Sequence, residues 1–161
     1  GEAFVQDIDP VYQKNVQLVS GSFDQHDLSY SCVLLPRLPN HNLTGELVDL
    51  LKNEISRLCL AFGWRLEQLN IRPEFLLWVV GVTPDISASA VIQHIREQTS
   101  TVIFAESVRF TKDNPSGDFW APGFLVIGGR QSLTESLVQN FIRNTRSRQG
   151  IDQDYNRDNN A

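Results

Sequence analysis

Methionine is absent from this chain of 161 residues, and histidine, cysteine and tyrosine are scarce: three His, two Cys and three Tyr. Each shortage excludes something. Cys32 and Cys59 sit inside separate apolar runs, without the close pairing of a zinc site. They read as buried thiols acting as small hydrophobes, which points to a reducing compartment; spacing alone leaves a disulfide open. His26 and His41 lie in polar, turn-like stretches and His94 in a helical one, and no pair has metal-ligand spacing. Neither a metal nor another cofactor is expected. No run approaches the ~20 apolar residues of a membrane span. No secretory-leader pattern is visible, so a cytoplasmic protein is expected. Without a methionine, the natural protein is expected to begin upstream of Gly1.

Strong charge of one sign is missing too, once the ends are set aside. The net charge is −5. Residues 1–27 carry five acids and one lysine (−4), and residues 149–161 three acids and one arginine (−2), which leaves +1 for residues 28–148. A near-neutral body lacks the basic footprint of a typical nucleic-acid binder. The division into an acidic N-terminal arm (1–27), one α+β domain (28–148) and a disordered acidic tail (149–161) follows from this shift. Pro10 interrupts any helix in the arm, whose scattered Phe4, Ile8, Tyr12 and Val16 suit loose docking or simple disorder.

What is present is a clear alternation of periods. Leu28–Pro36 reads as a strand ended by proline. Leu43–Phe62 repeats Leu47, Leu50, Leu51, Ile55, Leu58 and Phe62 at helical spacing, with Thr44 as the expected N-cap and Gly63 as the stop. Trp64–Ile71 alternates as a strand but slips phase at Leu69 and Ile71. After the turn Arg72-Pro73-Glu74, Phe75–Val82 is an almost continuous apolar run, as in a strand buried on both faces. Asp85 or Ser87 opens a second helix carrying Val91, Ile92 and Ile95. Residues 106–122 hold the loop signature Asn114-Pro115-Ser116-Gly117. Phe124–Gly129 is a short strand. Ser132-Leu133-Thr134-Glu135 fits a capping box, and Leu133, Leu137, Val138, Phe141 and Ile142 line one face of a last helix to about Arg148. The order β-α-β-β-α-β is a ferredoxin-like α+β core with an additional C-terminal helix.

Chemistry-bearing patterns are not found along this order. Glu46, Asp49 and Glu54 are expected to face solvent, Asp113 and Asp118 flank the loop, and no spacing pairs any of them as acid and base. Gly128-Gly129 lacks the rest of a phosphate loop.

At this point a resemblance carries the reading further. Arg72-Pro73-Glu74-Phe75-Leu76-Leu77-Trp78-Val79-Val80 resembles the segment bearing the His-hydrophobe-His motif in single-tyrosine transposases of small insertion sequences, including the REP-associated tyrosine transposases. Thr83-Pro84-Asp85-Ile86-Ser87-Ala88-Ser89 through Arg96 and Thr99-Ser100 resembles that family's second helix. Phe119-Trp120-Ala121-Pro122-Gly123-Phe124-Leu125-Val126 resembles its Trp-x-x-Gly-aromatic strand, and the Phe141-Ile142 helix its catalytic helix. The resemblance implies a four-stranded antiparallel sheet with two helices on one face, and the last helix near a site where Phe75 and Leu77 point to the same side. It also implies that this chain departs from the family's chemistry. The two metal-binding imidazoles fall at Phe75 and Leu77, the tyrosine nucleophile at Phe141, and a further polar ligand at Thr145. Sliding the match does not help, because no histidine lies between positions 42 and 93 and the only tyrosines are Tyr12, Tyr30 and Tyr155. Phenylalanine has no phenolic oxygen to attack a phosphodiester, and without imidazoles the site cannot hold the metal that polarises the phosphate.

The expectation is therefore a catalytically inactive, transposase-like binding module that retains recognition of a DNA hairpin or single strand, and a homodimer by the resemblance. Arg130, Arg143, Arg146, Arg148 and Trp120 are the candidate nucleic-acid contacts. Each has a second reading: the arginines as cations offsetting the dipole of a helix C-terminus, Trp78 and Trp120 as core instead of stacking platforms. The alternatives are a protein-interaction or assembly module without nucleic-acid binding, and an enzyme of another class.

Overall fold

The structure is a computed structural model, and it describes residues 28–129, 131 and 133–151. The arm over 1–27, residues 130 and 132, and the tail from 152 lie outside the described residues, and with them the readings on His26, Arg130, Ser132 and Tyr155. Four strands form one antiparallel sheet: β1 (Leu28–Leu34), β2 (Arg65–Arg72), β3 (Phe75–Val82) and β4 (Leu125–Gly128), in the order β2-β3-β1-β4. The helices are α1 (Glu46–Phe62), α2 (Ala88–Glu106), α3 (Val108–Asp113) and α4 (Glu135–Arg148). This is the expected ferredoxin-like arrangement with its added C-terminal helix.

Alternation along the two central strands builds two cores. Cys32 and Leu34 of β1 and Leu76, Trp78 and Val80 of β3 face α1 and α2, where Leu51, Ile55, Val91 and Ile95 meet them. Val33, Leu77 and Val79 face the other way, onto Val138 and Ile142 of α4. Both faces of β3 are covered, which is why its sequence is apolar throughout. β2, at the sheet edge, is covered on one face only and keeps its polar alternation. Its phase slip is a β-bulge: Leu66 pairs with Val80 and Gln68 with Val79, leaving Glu67 extra.

The helix ends agree with the sequence in part. Gly63 has φ 75°, and Gly63 N–H and Trp64 N–H close on the carbonyls of Leu60 (3.3 Å) and Cys59 (2.9 Å), a glycine stop that a side chain would strain. Ser87 caps α2 by accepting from Ala90 N–H at 3.1 Å. Thr44 does not cap α1. Gly45 precedes the helix with no side-chain cap, and Thr44 contributes only its carbonyl, to Leu47 N–H. α4 starts at Glu135 under Thr134, whose Oγ1 accepts from Leu137 N–H at 3.1 Å, so the N-cap is Thr134. Leu137 consequently turns outward and is exposed, while Val138, Ile142, Thr145 and Arg146 are buried. Glu54, expected in solvent, is buried and bound by Arg57 at 2.6 Å. Residues 106–122 are not all loop: α3 forms there, anchored by buried Phe110. The tail expected from 149 begins with residues the helix still holds, since Ile151 N–H bonds the Arg146 carbonyl at 2.7 Å.

Candidate site on the sheet face beneath the last helix

Three of the four positions singled out by resemblance come together. Phe75 and Leu77 project from β3 to the α4 side, and Phe141 packs into the same apolar cluster with Leu125, Leu133, Val138 and Ile142. Thr145, one turn further along α4, is buried, and its Oγ1 accepts from Arg148 at 3.4 Å. Beside this cluster the strand register sets a polar row. Gln68, Asn70 and Arg72 of β2 pair with Val79, Leu77 and Phe75 of β3. These six residues, with Leu133, Glu135 and Val138, line a cavity of about 170 Å³ open at the sheet edge.

The chemistry of this face is apolar at its floor and amide, guanidinium and carboxylate at its rim. Among the described residues no three His, Cys, Asp or Glu side chains stand close enough to hold a metal ion. His41 is buried away from this site, between Phe110 and Phe119, with Nε2 3.1 Å from Asp113. His94 packs beside Phe62 and Trp64.

The candidate nucleic-acid contacts do not stay together. Trp120 is 0% exposed, and its indole N–H donates to Thr99 Oγ1 at 2.9 Å. It is core and offers no stacking surface. Its backbone explains this, because the segment folds back onto β1: Arg37 N–H bonds the Phe119 carbonyl (2.8 Å) and Ala121 N–H the Leu35 carbonyl (2.7 Å). Trp78 is likewise core, at 0% exposed. Arg146 is only 3% exposed and donates to the Arg37 carbonyl (3.3 Å) and to Gln149 Oε1 (2.8 Å). Burial pushes its guanidinium down to about 10, against the pull of Glu74. It ties α4 to the loop after β1 and is not available to phosphate. Arg143 and Arg148 are exposed, with Arg143 donating to Asn140.

Nothing in the sequence pattern marks Arg96 as a brace. Its Nε donates to Asp118 Oδ2 (2.8 Å), Nη1 to the Gly123 carbonyl (3.0 Å) and Nη2 to the Ala121 carbonyl, so one guanidinium fixes the Trp-x-x-Gly turn. Sequence reasoning also passes over the row Gln68, Asn70, Arg72. Its signal is the polar residue at every second position of β2, alternating with Leu69 and Ile71. Both thiols are buried and free, and burial pushes Cys32 up to about 12 and Cys59 up to about 11.

One solved structure shares this architecture. No curated protein matches the chain. A solved structure of a protein assigned as a transposase from Deinococcus radiodurans superposes with a TM-score of 0.63 at 18% identity, covering 73% of this chain and 89% of that one. A REP-associated tyrosine transposase bound to a REP hairpin matches at 14% identity and a TM-score of 0.47, over 76% of this chain and 68% of that one. The family model described as "Transposase IS200 like" matches residues 24–145, a span that takes in every strand and the face carrying Phe75, Leu77 and Phe141. The chain belongs to the IS200-like transposase family.

Proposed function

We propose that this chain is a member of its family that does not cleave DNA and acts as a binding module for a DNA hairpin or single strand. The observation that carries the reading is the packing of Phe75, Leu77 and Phe141 into one apolar cluster, at positions where the resemblance sets two imidazoles and a tyrosine. Hydrocarbon against a bare cation is strongly unfavourable, and a phenyl ring has no oxygen to attack phosphorus. The protein is cytoplasmic and dimeric on this reading. Incubation with hairpin and single-stranded oligonucleotides in Mg²⁺ or Mn²⁺ should give no cleavage and no covalent adduct, with binding detectable at low salt. A reproducible adduct overturns the inactive assignment.

A second reading, a protein-interaction module, is favoured by exposed apolar side chains in the last turn of α1. Leu60 is 85% exposed and Phe62 half exposed, and Phe62 stacks on Trp64 at 4.8 Å. Absence of oligonucleotide binding at low salt decides for it.

A further inference from the structure

We propose that the cavity between β2, β3 and the start of α4 is a site for one unpaired guanine base. This rests on the nucleic-acid reading above and adds the base and the residues that read it. The register sets Gln68, Asn70 and Arg72 directly beside Val79, Leu77 and Phe75, so a row of polar side chains borders an apolar floor. The side chains of Gln68, Asn70 and Arg72 form no hydrogen bond or ion pair with any other described residue. Their donors and acceptors are free for a ligand.

Charge selects the ligand further. Arg72 and Glu135 line the same cavity but do not close on each other, and among the described residues Glu135 accepts only a 3.3 Å bond from Gln139 of its own helix. A cavity holding a guanidinium and a carboxylate apart suits a planar ligand with an acceptor edge and a donor edge. Guanine has both: O6 and N7 accept from the arginine fork, and N1–H and the 2-amino group donate to a carboxylate. Adenine offers no adjacent pair of acceptors to a guanidinium, and thymine offers a single ring N–H to the carboxylate. At about 170 Å³ the cavity falls below the roughly 300–1,000 Å³ of sites that take drug-sized ligands, which leaves room for a single flat ring system. Phe75 supplies an aromatic wall, and base–aromatic stacking adds affinity without choosing the base. β2 is an edge strand, so a single strand reaches the cavity from the side of the sheet and presents a splayed base.

Fluorescence anisotropy at low salt tests this with oligothymidine strands, one all-dT and others carrying a single central dG, dA or deoxyinosine. The dG strand should bind at least about tenfold tighter than all-dT, the order a single bidentate contact provides, and dA should give no such gain. Deoxyinosine, lacking the 2-amino group, should fall between. Arg72→Ala should return the dG strand to the all-dT affinity. Glu135→Gln should abolish the distinction between dG and deoxyinosine. Both residues are exposed, so the variants keep the fold. Equal binding of dG and all-dT strands by the wild-type protein overturns the guanine site and leaves the nucleic-acid reading standing. A dG preference that survives both substitutions overturns this location. No binding of any strand overturns both.

Discussion

The two faces of the sheet are built from the same two central strands and differ in how they are finished. The face under α1 and α2 is closed: Trp78, Trp120, Phe119 and Ile95 are buried there, and Trp120 and Thr99 satisfy each other's polar atoms. The face under α4 is smaller, and one helix leaves it open along β2, where the cavity lies. A helix pair laid over the sheet removes a continuous stripe from water. A single helix covers only the strands directly beneath it. The closed face therefore carries the stability, and the half-covered face is where a ligand can reach the sheet.

Truncation on each face measures that difference most directly. Trp120→Ala should cost ~3–5 kcal/mol in urea unfolding, as for a large buried aromatic. Phe75→Ala, on the open face and only half-buried, should cost on the order of 1 kcal/mol. Equal losses would mean that the α4 face is as much a core as the other. Next in size is the arginine that joins α4 to the loop after β1. Arg146→Ala should lose ~1.5–3 kcal/mol, the worth of its charged hydrogen bonds, whereas Arg143→Ala at the surface should stay within about 0.5 kcal/mol. In oligonucleotide binding the order should reverse. Arg143→Ala should lower the salt slope on a single strand by ~0.7 for each phosphate the arginine neutralises, and Arg146→Ala should leave the slope unchanged.

A third comparison sets the closed face against solvent. Cys32 and Cys59 both belong to the core under α1 and α2, and both thiols are pushed up. Neither should react with a thiol reagent at pH 8 until the protein unfolds. A raised thiol value means that the unfolded chain gives up its proton first. Stability from these groups is therefore intact below the ordinary thiol value of 9.0 and falls as pH rises from there towards about 11 to 12. Cys32→Ala should flatten that alkaline loss. The smallest effect concerns α4 itself: Leu137→Ala, at an exposed position, should change stability by less than about 0.5 kcal/mol. A larger loss would show that something covers this side of the helix.

The sequence by itself determined the order of the strands and the three long helices, the two-sided burial of β3, the glycine stop at Gly63 and the projection of Phe75 and Leu77 to one side. All of these follow from periodicity and backbone preference, which act within a few residues of chain. Thr134 as the cap of α4, and α3, escaped it for a local reason: several residues near a helix start can cap it, and a six-residue helix with one buried anchor leaves almost no periodic trace. Trp120, Arg146 and the row Gln68, Asn70, Arg72 were decided only by the tertiary structure. A tryptophan beside a Pro-Gly turn is core or surface according to whether the segment folds back, and here its neighbours bond Leu35 and Arg37, far earlier in the chain. An arginine in the last turn of a helix is free or spent according to which distant carbonyl it meets, and here that is Arg37. The cavity is bounded by the start of α4 at Glu135 on one side and by the edge strand that ends at Arg72 on the other. Local pattern sets which faces are apolar, but the partner of each polar group comes from a remote part of the chain, and that pairing determines whether the group is structural or available to a ligand.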